Sequence, residues 1–354
     1  MTRIRPRGEE IRRFIVEHVD ARPSGISKFA AHRFGVTRQA INRHLMRLVR
    51  EGSLRESGQT RGRTYTLAPL VEWTHSYEIN QRTEEDVVWR TDIEPVLGQL
   101  SDNAKTLWFF GFSEMFNNAR DHSSGTSITV KIEKTAVATE MLIYDDGVGI
   151  FKKIQKEKNL LDERHAIFEL SKGKLTTDPS KHTGEGIFFT SRAFDHFVIM
   201  SGGVYFSHEI QDREDWLLDG GNIKGTSVMM KLNNHTSRTL KKVFDEFTSG
   251  GENLGFTKTI VPVSLAQYGN EMLLSRSQAK RVMARVNVFE TVILDFKGVS
   301  AIGQAFADEI FRVFAREHPR VKLSVVNADE DVSRMIERAT SNVVPLDEPS
   351  GGHS

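Results

Sequence analysis

The stretch FSEMFNNARDHS, residues Phe112 to Ser123, continues the apolar run TLWFFGF and reads with it as one helix. A helix this rich in aromatic residues belongs in a core. Yet Glu114, Asn118, Asp121 and His122 recur at i, i+4, i+7 and i+8, which gathers them on one helical face. Carboxylates are rarely buried unless they are paired or bound to something. The polar face therefore calls for a partner elsewhere in the chain.

Three downstream pieces qualify. The strand TEMLIYDDG runs into DDGVGI, Asp145 to Ile150, so that a strand ends in an acid followed by two glycines. TGEGIFF, Thr183 to Phe189, opens a helix with two more glycines, and GTSV, Gly225 to Val228, begins a strand. A glycine-rich turn at a helix N-terminus offers bare N–H groups to an anion. Each piece alone is weak, but their order is specific: Glu-xxx-Asn-Ala, Asp-x-Gly-x-Gly, Gly-x-Gly, Gly-Thr.

That order over residues 101–245 resembles the GHKL ATPases, the family of gyrase B, Hsp90, MutL, the histidine kinases and the anti-sigma serine kinases. The resemblance implies a Bergerat-type α/β sandwich that binds ATP and Mg²⁺. It assigns Asn118 to the metal, Asp145 to the adenine amino group and Thr226 to a water-assisted contact there. Gly147 and Gly149 would shape the adenine pocket, Gly184 and Gly186 would admit the phosphates, and residues 151–183 would form the lid. Lys172, Lys174, Lys181 and His182 are either phosphate contacts or solvated lid charges. In this family a glutamate at the Glu114 position is the general base, for water in the ATPases and for a serine hydroxyl in the anti-sigma kinases. His122 matches a histidine of the anti-sigma form, or is simply a helix-end residue.

Net charge is +1, but residues 1–70 carry 15 Lys+Arg against 6 Asp+Glu, so the first part is a basic module on an acidic body. Residues 8–68 read as three short helices and a hairpin. Thr37 caps the third helix and Gly35 closes the second. This pattern resembles the winged helix-turn-helix DNA readers. With Ala40, Ile41, Leu45 and Leu48 turned inward, Arg38, Gln39, Asn42 and Arg43 face outward, the residue types that bond base edges and phosphates. Arg61 and Arg63 sit at the hairpin tip.

The composition breaks at TSGGENLG, after which strands and helices alternate. There, ETVILDFKGVSAIGQAFADEIF resembles the core of STAS domains. Gly303 and Gln304 occupy the helix start where that family carries its regulatory serine, and Ser300 stands earlier, so an interaction module is expected rather than a phosphoacceptor.

The expectation is an α+β multidomain protein. It comprises a winged helix over 1–70, a helical connector over 71–100, the ATP-binding domain over 101–247, a STAS-like α/β domain over 248–342 and a disordered tail over 343–354. No apolar run spans a membrane, MTRIRPRGEE leads into no signal-like apolar stretch, and Cys is absent, all of which point to the cytoplasm. The expected function is an ATP- and Mg²⁺-dependent, ATP-hydrolysing DNA-binding regulator, acting as a homodimer, with a protein partner at the STAS-like domain. The alternatives are an anti-sigma-type serine/threonine kinase and a nucleotide-locked scaffold in stress or phage-defence signalling.

Overall fold

The computed structural model describes residues 6–59, 62–80, 83–175, 184–210, 214–249, 255–267 and 271–341. Arg61, Lys181, His182 and the tail 343–354 therefore lie outside the described residues. The chain is mixed α and β and builds three hydrophobic cores.

The first core joins α1 (Pro6–His18), α2 (Ile26–Phe34) and α3 (Arg38–Arg50) to a hairpin of β1 (Leu54–Ser57) and β2 (Thr64–Leu67). Ile15, Ala30, Ile41 and Leu45 are completely buried at its centre. Thr37 Oγ1 accepts from Ala40 N (3.2 Å), and Gly35 closes α2 at φ 61°. Strand pairing places Leu54 opposite Leu67, and Leu54 and Tyr65 seal the core from the hairpin side.

The second core lies under an antiparallel sheet in the order β3-β4-β5-β7-β6. β3 (Val71–Glu78) is its edge strand, paired along its length with β4 (Ser127–Lys134). These residues were expected in a helical connector, and only the later part of that segment is helical. There α4 (Glu85–Val88) passes through a π-helical turn, Trp89–Ile93, into α5 (Glu94–Leu97). The strand forms because Val71, Trp73 and Tyr77 fall on alternate positions, and Trp73 and Tyr77 pack on the core. α6 (Asp102–His122) lies across the sheet and buries Ala104, Leu107, Trp108, Phe112, Met115, Phe116 and Ala119, a stripe at three- and four-residue spacing.

Next come β5 (Ala138–Asp145), α7 (Ile150–Glu157), α8 (Glu163–Ser171) and α9 (Gly186–Ala193). β6 (His196–Glu209) doubles back at Gly202, where φ is 60°. Ile210 N donates to Asp195 O (3.1 Å), and His196 Nε2 lies 3.0 Å from Ser207 Oγ, which a straight strand of that length forbids. β7 (Glu214–Asn233) and α10 (Leu240–Glu246) complete the region.

The third core surrounds a parallel sheet, β10-β9-β8, formed by β8 (Lys258–Pro262), β9 (Thr291–Asp295) and β10 (Lys322–Val326). α11 (Arg276–Met283), α12 (Gln304–Asp308) and its π-helical continuation Glu309–Phe314, then α13 (Ala315–Glu317) and α14 (Glu330–Ser341) provide the helices. This core does not close on itself. Phe168 of α8 and Phe188 and Phe189 of α9 belong to it, so the central region and the C-terminal α/β unit share buried surface. Among the described residues no helix is long and apolar enough to cross a membrane.

Candidate functional site

A cavity of about 440 Å³ opens between α6, α7, the sheet and the segment from α8 to α9, in the size range of small-ligand sites. Glu114, Asn118 and His122 line one wall from α6. The polar face that looked out of place on a core helix is the face turned to this cavity. Asp121 is not among the lining residues. It is exposed and pairs with Arg120 (2.8 Å), which also reaches Glu85 (3.2 Å), so it belongs to a surface ion network.

One end of the cavity is built around Asp145, a buried carboxylate at the end of β5. Its Oδ1 accepts from Gly147 N (3.0 Å), and Thr226, directly across the strand pair, donates to it from backbone and hydroxyl. Burial pushes this carboxyl above its usual range, while those hydrogen bonds hold it back. Thr226 Oγ1 in turn accepts from Ile150 N (3.0 Å), which ties the start of α7 to the same end. Gly147 and Gly149 are absent from the lining. Gly147 supplies its N–H to Asp145, and Gly149 precedes α7 at φ 88°, so both set the turn rather than the wall. The neighbouring Asp146 faces the other way and binds Thr126 N (2.7 Å), Thr126 Oγ1 (2.7 Å) and Ser127 N (3.0 Å), a loop lock that holds its carboxyl well below the usual range.

The other end lies where Glu114 meets α9. A side chain at Gly186 would overlap the Glu114 carboxylate, so only glycine lets the two approach. Gly184 at φ 72° brings its carbonyl to Leu175 N (3.2 Å), and a Cβ there would overlap the Leu175 backbone. Gly184, Glu185, Gly186 and Ile187 all line the cavity, so the N-terminal turn of α9 faces into it. Ser123, nine positions after Glu114 at the end of α6, accepts through its carbonyl from Val148 N beside Asp145 (2.9 Å). The two ends are thus on the order of 13 Å apart along the helix.

Several lining residues were not singled out from sequence. Lys153 of α7 brings a cation to the cavity and donates to His122 O (2.8 Å). Phe110, Phe189 and Phe244 form an aromatic end wall, with Phe189 and Phe244 rings 4.2 Å apart. Conversely, Lys172 and Lys174 turn away from the cavity. Lys172 is fully buried against Glu169 (2.6 Å), and Lys174 lies over the Phe289 ring (4.7 Å).

On the first core, Arg38, Gln39, Asn42 and Arg43 are exposed on the outer face of α3. Arg63 is exposed beside Glu56 (3.6 Å) and Met46 (3.9 Å). Burial, then Arg12, Arg43 and Arg47, lower the pKa of His44, which registers the positive potential on this face. In the third core, a side chain at Gly303 would press on Leu274, and Ser300 is exposed in the preceding loop.

Compared with known families, residues 278–333 match a STAS-like domain of unknown function (DUF4325). No curated protein is similar to the chain.

Proposed function

We propose that the cavity binds ATP with Mg²⁺ and that the chain is a GHKL-type nucleotide-dependent regulator with a winged helix that binds DNA. The carrying observation is that one cavity collects Glu114 and Asn118, Asp145 and Thr226, and Gly184 and Gly186 from four separate stretches of sequence. The donor set fits a nucleoside triphosphate. Asp145 is an acceptor for the adenine amino group, oriented by Gly147 and Thr226. The first turn of α9 receives phosphate oxygens on its backbone N–H groups. Lys153 adds a positive charge among the acids Glu114, Asp145 and Glu185.

Asn118 would hold Mg²⁺, which takes few protein ligands and leans on substrate phosphates. No cluster of three His, Asp or Glu side chains suited to a metal occurs among the described residues, in keeping with that division. Bound Mg–ATP supplies an activated γ-phosphoryl group. Glu114 then takes the proton from the attacking hydroxyl, and the closeness of its carboxylate to Gly186 keeps the base beside the phosphate turn. The aromatic wall of Phe110, Phe189 and Phe244 limits the water admitted at that end.

The exposed Arg38, Gln39, Asn42 and Arg43, on a module of strong positive balance, are the DNA-contacting set, with Arg63 on the hairpin. ATP would control lid closure, pairing of two chains and hence DNA affinity through avidity. A titration of duplex DNA with and without Mg–ATP, run beside a phosphate-release assay at fixed salt, tests this. The reading expects Mg–ATP to shift DNA affinity, whereas unchanged affinity and oligomeric state refute the switch. The STAS-like match in the same chain favours one second reading, a serine/threonine kinase acting on such a module. Transfer of labelled γ-phosphate to protein selects it, and free phosphate alone rejects it.

A further inference from the structure

The wall of the cavity formed by Leu170 and Leu175 is held from outside the central region. Beside those two residues lies a buried charge cluster. Glu169 is 2% exposed and Lys172 is 1% exposed, and charges so deeply buried persist only when fully paired. They pair with each other and, for Glu169, with His165 of α8 (3.7 Å), and their remaining partners come from the C-terminal α/β unit. Lys172 Nζ donates to Glu169 Oε1 (2.6 Å), to Arg281 O (3.0 Å) and to Ala284 O (3.1 Å), the last two at the C-terminal end of α11. Arg285 closes the cluster, with Nη1 2.6 Å from Glu169 Oε2 and Nη2 donating to Gly173 O (3.2 Å) and Lys174 O (2.7 Å).

The strip between them is gripped on its remaining sides as well. Thr259 Oγ1 donates to Lys172 O (2.7 Å). A Cβ at Gly173 would stand 2.6 Å from the Phe256 ring, and the Lys174 ammonium lies over Phe289. The backbone carbonyls of three consecutive residues, 172 to 174, are thus all taken by side chains of the C-terminal unit. The next residue, Leu175, carries the grip to Gly184 at the phosphate end through its N–H. Asp145 stands at the opposite end of the cavity.

We propose that Arg285 is a positioning residue for the nucleotide, by which the STAS-like unit, in cis, holds the 169–175 strip and the Gly184 turn in their phosphate-receiving geometry. The inference rests on the nucleotide reading above and adds to it a means of regulation. Because coupling between sites is reciprocal, a partner that pulls on the C-terminal unit loosens the phosphate end, and a bound triphosphate stiffens the C-terminal contact.

The test uses the full chain and two probes, Mg²⁺ with a non-hydrolysable ATP analogue, and adenosine, which reaches only the Asp145 end. Arg285→Gln is expected to weaken the triphosphate analogue about tenfold while changing adenosine by less than about twofold. Arg285→Lys, which keeps the charge but loses the planar fork, is expected to fall between Arg285→Gln and wild type. Equal loss for both probes, or no loss for either, overturns the proposal. Wild-type protein that binds neither probe refutes the nucleotide reading, and the positioning role falls with it. Wild-type binding with an indifferent Arg285→Gln refutes the positioning role alone. If Arg285→Gln does not fold, hydrogen exchange on wild-type protein decides. The triphosphate analogue is expected to slow exchange of amides in 279–289 about tenfold, and unchanged exchange there overturns the proposal.

Discussion

Two carboxylates divide the proposed chemistry. Asp145 is buried, oriented by Gly147 and Thr226, and pushed up by burial. Asp145→Ala is therefore expected to cost nucleotide affinity about 10- to 100-fold, the range for a hydrogen bond to a charged group. Because adenine needs the ionised acceptor, affinity should fall on acidification at a pH above the ordinary aspartate range, and calorimetry at several pH values reads this. Glu114 lies at the other end, so Glu114→Gln is expected to retain binding and lose about 10²- to 10⁴-fold in phosphate release. Both residues were legible in the sequence because the glycine-rich pieces around them give each a context. Lys153 was not, since a lysine on a Lys-rich helix carries no mark of which face it takes.

At the scale of elements, α6 was legible because its polar stripe and its apolar stripe each keep helical spacing. β3 was not read as a strand, because the sequence gives Val71, Trp73 and Tyr77 their alternation but not the pairing with β4 that uses it. The α8–α9 segment was legible only in part. Its lysines read as phosphate contacts or solvated lid charges, but Lys172 is buried, paired with Glu169 and bonded to carbonyls more than a hundred residues away. No local pattern encodes such a partner. Two outcomes belong here. Gly186→Ala puts a methyl group where the Glu114 carboxylate lies and is expected to push that flexible side chain aside, lowering turnover in a phosphate-release assay with little change in Tm. Burial raises Glu169, but His165, Lys172 and Arg285 outweigh it and hold the carboxyl near 2, below its ordinary 4.5. A depressed carboxyl contributes stability above its unfolded pKa and loses it as pH falls. Thermal melts should therefore lose stability from about pH 4.5 towards pH 2, and Glu169→Gln should flatten that part of the profile.

At the scale of the whole molecule, charge and buried surface are separated. The basic module has its own core, whereas the central and C-terminal regions share one through Phe168, Phe188 and Phe189. Composition at TSGGENLG marks a break in sequence that the packing does not respect. Arg43→Ala on the exposed face of α3 is expected to weaken DNA binding and to reduce the salt slope by about 1 if it meets phosphate. Nucleotide binding should survive that change, because α3 lies outside the cavity. The nucleotide-dependent account depends on what the cavity takes. The most direct measurement is a calorimetric titration of Mg–ATP into wild-type and Asp145→Ala full-length protein. Saturable binding to wild type that falls at least about tenfold in Asp145→Ala is expected. No binding to wild type, or equal affinity in the two proteins, would contradict it.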